Sequence, residues 1–94
     1  MKRNHLKRAA ALSYDEGKQI APELSAKGIG LVAENIIKKA KENNVPIIED
    51  PSLVELLSKL DINEAIPEQL YEAVAEVFAF IYQVEQEAKA RKIK

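Results

Sequence analysis

The stretch KENNVPIIEDPSLVELL, residues 41 to 57, constrains the fold more than any other, because two prolines and two helix-end signals fall within it. Proline lacks a backbone N–H and disfavours helical geometry in the residue before it, so a helix cannot run through Pro46. Asn43 and Asn44 therefore end one helix, and Val45 to Ile48 are expected as a short strand. Asp50 followed by Pro51 then reads as an N-cap with proline at the first helical position. Helix, strand and helix follow one another with almost no loop, which calls for a small α/β architecture.

The flanking segments extend this pattern. Ile29, Val32, Ala33, Ile36, Ile37 and Ala40 recur at the spacing of one helical face, behind Gly28 and Gly30. Upstream, RAAALSY and the segment opening at Pro22 are expected as a hairpin-like pair, 8 to 14 with 22 to 27, around the turn signal DEGK. The strand at 22–27, the helix and the strand at 45–48 would then form a right-handed βαβ unit. Leu53, Leu56, Leu57 and Leu60 give a second helix its apolar stripe, DINEA at 61–65 breaks it, and Pro67 opens a last helix reaching about residue 88. The expected fold is α/β, a small mixed sheet of about three strands with an open edge and three or four helices, in the order β-β-α-β-α-α. Residues 1–7 are expected to be a flexible basic N-terminus, 8–88 a single domain, and 89–94 a fraying basic end.

The last helix carries two apolar stripes. Leu70, Ala73, Val74, Val77, Ile81 and Val84 form the one assigned to the core, and Tyr71, Ala75, Phe78 and Tyr82 lie beside it. The second stripe is either the margin of a wide core face or an exposed aromatic groove for a partner.

Composition excludes several classes of function. The chain of 94 residues has a net charge of −1, so no overall basic field recruits nucleic acid or an anionic membrane. Charge is nevertheless uneven: residues 1–47 carry nine Lys/Arg against five Asp/Glu, and residues 48–94 five against ten. There is no cysteine, which removes disulfides and thiolate metal ligands and suits a reducing, cytoplasmic setting. The longest apolar-rich run, AVAEVFAFIY at 73–82, is too short to span a bilayer and contains Glu76. MKRNHLKR lacks the apolar segment of a secretory signal. His5, the only histidine, lies at the basic N-terminal end, so a multi-histidine metal site is excluded and Ser13, Ser25, Ser52 and Ser58 have no internal histidine to act as base. Glu49 with Asp50, and Glu72 with Glu76, read as a helix cap and a solvated face rather than as acid/base pairs. No cofactor or metal is expected, and the chain is expected not to be an enzyme.

The succession ALSYD, AP, AKGIG, AKENNVPIIEDPSL and IPEQLYEAVAEVFAFIY resembles the cytoplasmic C-terminal domain of the FlhB family, the export switch of flagellar type III secretion, and its injectisome counterparts of the YscU kind. Members of that family cleave themselves after the asparagine of an Asn-Pro-Thr-His sequence. Asn4, His5, Leu6 and Lys7 fall on those positions and only Asn4 matches, so no cleavage is expected here. The chain resembles the fragment left after cleavage, made as a separate small protein. The resemblance implies an interaction module that substitutes for or modulates the switch, with substrate docking at Ala21, Pro22, Ala75 and Phe78 and an extension of the patch at Tyr71 and Tyr82. The implied partners are the membrane-embedded switch protein, other export-apparatus components and exported rod- or hook-type subunits, met in the cytoplasm or at the membrane apparatus, without direct membrane insertion. The family's cleaved halves stay together largely by strand pairing, so residues 8–14 are expected to offer an open strand edge. The glycine-led helix, VP segment and Pro-capped helix also resemble an L7Ae-type RNA-binding arrangement, against which the acidic second half of the chain counts.

Overall fold

The computed structural model describes residues 7–15 and 17–93, with side chains to residue 85. Two strands, β1 (Arg8–Ser13) and β2 (Glu23–Ile29), precede helix α1 (Leu31–Glu42), helix α2 (Pro51–Leu57), a 3-10 turn over Glu68–Leu70 and helix α3 (Tyr71–Ile93). The expected hairpin is present as an antiparallel pair running from Arg8 opposite Ile29 to Ser13 opposite Glu23. Asp15 organises the link between the strands: its carboxylate accepts from Gly17 N at 3.0 Å, and its carbonyl accepts from Lys18 N and Gln19 N. A bulge falls where Ala11 opposite Ala26 gives way to Leu12 opposite Leu24. Ser25 is the extra residue, and its hydroxyl donates to the Ala11 carbonyl at 3.1 Å, supplying a partner where the ladder is interrupted.

Residues 45–48 correct the sequence expectation. They are not a strand, and among the described residues the sheet has two strands, both antiparallel, so neither the third strand nor the βαβ unit forms. The cause is visible at the end of α1. Asn44 sits in the left-handed region at φ 60°, Val45 N donates to Ala40 O at 2.8 Å and Asn44 N to Lys41 O at 3.3 Å. These two bonds make a Schellman cap that spends the Val45 donor on the helix, and Pro46 has none to offer a ladder. The backbone that joins β2 instead comes from the segment expected only to break α2. Leu24 N donates to Glu64 O, Asn63 N to Leu24 O and Ile66 N to Pro22 O, and Glu23 bridges Ala65 antiparallel. The α/β class holds, with its third backbone partner taken from residues 63–66.

Gly28 and Gly30 both answer to geometry where β2 meets α1. A Cβ on Gly28 would stand 2.2 Å from Val32 Cγ1 and 2.7 Å from Val32 Cβ, so strand and helix approach too closely for any side chain there. Gly30, the N-cap of α1, takes φ 67°. At α2 the predicted cap is present: Asp50 Oδ1 accepts from Leu53 N at 3.1 Å, with Pro51 first in the helix.

The core gathers Leu24 of β2, Leu53, Leu57 and Leu60 on and after α2, Ile66, Leu70 at the end of the 3-10 turn, and Val74 in the first turn of α3. Leu24 and Val74 are its most completely enclosed large side chains. Two expected stripes are less covered than their periodicity suggested. On α1 only Ala33 is buried, Ile36 and Ile37 are half-buried, and Val32 is exposed; on α2 Leu56 is exposed. The core stripe of the last helical segment holds at Leu70, in the 3-10 turn, and at Val74 of α3, weakens at Ala73, Val77 and Ile81, and fails at exposed Val84. The helix itself continues to Ile93, beyond the body it packs on.

Candidate functional site

The aromatic flank of α3 carries the surface with most interaction chemistry. Ala75 is exposed, as are Tyr71 and Tyr82, whereas Phe78 is half-buried and packs against the core. The second stripe is thus open surface at three positions and core margin at one. Phe78 is held by Tyr14, just past β1: the rings stack 6.2 Å apart at an interplanar angle of 20°. Tyr14 is itself exposed, so the pair forms an aromatic ledge beside Ala75's helix. Sequence reasoning missed Tyr14, since no local pattern links residues so far apart in the chain.

Ala21 and Pro22 stand immediately before β2. Ala21 is buried and belongs to the core cluster, and Pro22 is half-buried with its carbonyl accepting from Ile66 N at 2.9 Å. Ala21 and Phe78 therefore meet one core, Ala21 within it and Phe78 against it. Of the four positions only Ala75 is freely exposed, so a partner would touch Ala75 and the outward parts of Pro22 and Phe78. Asn4 lies outside the described residues.

A long-range polar contact completes the frame. Lys27 Nζ donates to the carbonyls of Ser58, at 3.1 Å, and Leu60, at 2.7 Å, from a partly buried position. A cation at the carbonyl end of a helix is favoured by the helix dipole, and here it fastens β2 to the end of α2. Among the described residues neither an acid/base pair nor a nucleophile is gathered in a cavity. The hollow beside α1, about 430 Å³, is lined by Lys7, Glu34, Ile37, Lys38, Lys41 and Glu42 and is an open, charged groove. Among the described residues no group of three or more His, Cys, Asp or Glu could hold a metal, and no helix is long and apolar enough to cross a membrane.

The family model described as the FlhB HrpN YscU SpaS Family matches residues 3–81. The chain belongs to that family. The export-switch resemblance read from the IPEQLYEAVAEV and VPIIEDP motifs is thereby borne out. The chain is 52% identical over 87 residues to YlqH of Bacillus subtilis (strain 168), covering 93% of this chain and 94% of that protein. It is 48% identical over 79 residues to the flagellar biosynthetic protein FlhB of Escherichia coli (strain K12), covering 83% of this chain but only 21% of that protein. Among solved structures, the cytoplasmic domain of FlhB from Shewanella putrefaciens superposes with a TM-score of 0.84 at 36% identity, over 89% of this chain and 66% of that one. The FlhB-type fold, the flagellar and type III export context, and the small stand-alone relative all agree with the sequence reading.

Proposed function

We propose that this chain is a non-enzymatic interaction module of the type III export apparatus, acting in the cytoplasm and at the membrane-embedded apparatus, where it substitutes for or modulates the C-terminal part of the export switch. The observation that carries this is its similarity, over 89% of its length, to the cytoplasmic domain of FlhB from Shewanella putrefaciens, while it spans 21% of the FlhB of Escherichia coli (strain K12). Such a chain has the domain that partners of the switch would meet.

Two surfaces support the proposal. The first is the Ala75 and Phe78 flank with Tyr14, Pro22 and the exposed Tyr71 and Tyr82, an apolar and aromatic patch suited to a short segment of an exported rod- or hook-type subunit. The second is β1, which has a hydrogen-bonded neighbour on one side only among the described residues. Its free edge suits pairing with a strand of the membrane-embedded switch protein. The VP-containing segment carries no argument for RNA, since its strand does not form. Absence of self-cleavage at Asn4 goes with this function, as the following Pro-Thr-His is missing.

The test is reconstitution. A membrane-embedded switch protein truncated before its C-terminal fragment should capture this chain from solution and recover export of hook-type subunits when the chain is supplied. Failure of both capture and export would overturn the proposal.

A further inference from the structure

The aromatic flank of α3 has a negatively charged border. At 100° per residue, Phe78, Tyr71, Tyr82 and Ala75 share one sector of the helix, and Ala79, Glu72, Gln83 and Glu76 follow next round it, on the side away from the core. All four bordering residues are exposed. Glu68, in the 3-10 turn four residues before Glu72, is exposed as well.

Nothing within the helix offsets these carboxylates. Glu72 and Glu76 stand at i, i+4, a spacing at which like charges repel. Their other neighbours three and four residues away are Glu68, Gln69, Ala73, Ala75, Ala79 and Phe80, none of them a cation. No Lys or Arg occurs between Lys59 and Lys89. The helix dipole favours Glu72 in the first turn but gives no reason for Glu76, which lies beyond that turn. Elsewhere round the flank the signs are mixed: Glu85 has Lys89 four residues on, and past Tyr14 both Asp15 and Lys18 are exposed. The uncompensated charge is concentrated at Glu72 and Glu76.

We propose, on the reading that exported subunits dock at this flank, that the docked segment bears lysine or arginine beside its apolar anchors, with the anchors on Ala75, Phe78 and Tyr82 and the cation over Glu72 and Glu76. Charge complementarity selects this occupant. A cation relieves the repulsion between the two carboxylates, whereas an acidic segment of the same shape adds to it. Lysine and arginine also lay their apolar stems on such a surface, and the faces of exposed Tyr71 and Tyr82 attract a cation.

The test is calorimetric titration of the full chain with a purified hook subunit at about 0.05 M and about 0.5 M salt, a range over which exposed charges become screened. Affinity for the parent should fall by about tenfold across it. Glu72→Lys with Glu76→Lys should weaken binding by at least about tenfold at low salt and remove the salt dependence. Glu34→Lys with Glu42→Lys, at exposed positions of α1, makes the same change in net charge and should bind as the parent does. The Glu72/Glu76 variant should keep the parent's thermal midpoint; if it falls, Glu72→Gln with Glu76→Gln serves in its place, with a loss of about threefold. Binding to the parent that ignores both salt and the Glu72/Glu76 change, yet is lost in Ala75→Asp, would overturn this inference and leave the docking flank standing. An equal loss in the α1 control would overturn it too, by making the effect one of net charge. No binding to the parent would overturn both readings. A parent chain that dimerises by itself in sedimentation, and ceases to in the Glu72/Glu76 variant, would seat the basic end of a second copy on these carboxylates and likewise overturn the proposal.

Discussion

Lys27→Met removes one ammonium group while keeping most of the side chain's length and apolar stem, and thereby isolates the tie between β2 and the end of α2. The parent lysine donates to Ser58 O at 3.1 Å and Leu60 O at 2.7 Å. A hydrogen bond to a charged group contributes about 1.5–3 kcal/mol net. The two bonds share one ammonium, so their loss is not additive, and water can reach the half-buried Ser58 more easily than the buried Leu60. The expected cost is therefore about 1.5–3 kcal/mol for the pair, against a total stability of roughly 5–15 kcal/mol. With a urea slope of about 1 kcal/mol/M, typical of a small domain, the midpoint should fall by about 1.5–3 M without a change in slope. Lys59→Met is the control: Lys59 is exposed, and its removal should shift stability by less than about 0.5 kcal/mol. Equal midpoints for Lys27→Met and Lys59→Met would show that the contact contributes nothing and that the α2–β2 junction is held by its apolar packing alone.

Further outcomes follow from the same geometry. Gly28→Ala should destabilise by about 1–3 kcal/mol, since the new Cβ meets Val32 at 2.2 Å; an unchanged thermal midpoint would mean that α1 shifts freely. Val74→Ala should cost about 1–3 kcal/mol from a position 2% exposed, and Ile36→Ala distinctly less, because Ile36 is only half-buried; calorimetric unfolding checks the order. Intact mass should stay constant over prolonged incubation, and loss of residues 1–4 would refute the expectation that Asn4 does not cleave.

Local chemistry was legible where a signal and its structural consequence lie within one turn of chain. Asp50 and Pro51 announced the start of α2, and Asn43 and Asn44 the end of α1, because a cap needs only its own neighbours. The segment 45–48 was misread for a related reason. Its short apolar run fits a strand, yet Val45 already donates to the helix cap and Pro46 has no donor, so β-propensity had no ladder to join. What takes its place, residues 63–66 on β2, looked polar and turn-like, and its pairing is made by main-chain groups that composition does not report. The candidate docking flank was half legible: helical spacing grouped Tyr71, Ala75, Phe78 and Tyr82, but only the fold brings Tyr14 onto Phe78. The same holds for Lys27, whose acceptors are backbone carbonyls more than thirty residues away.

The central claim, that the Ala75 flank of α3 captures exported subunits, is tested most directly by Ala75→Asp. Ala75 is exposed, so the new carboxylate stays solvated and the thermal midpoint should remain within a few degrees of the parent's. Calorimetric titration with a purified rod or hook subunit should then show binding to the parent chain and none to Ala75→Asp. A folded Ala75→Asp chain that binds the subunit as well as the parent does would contradict the claim.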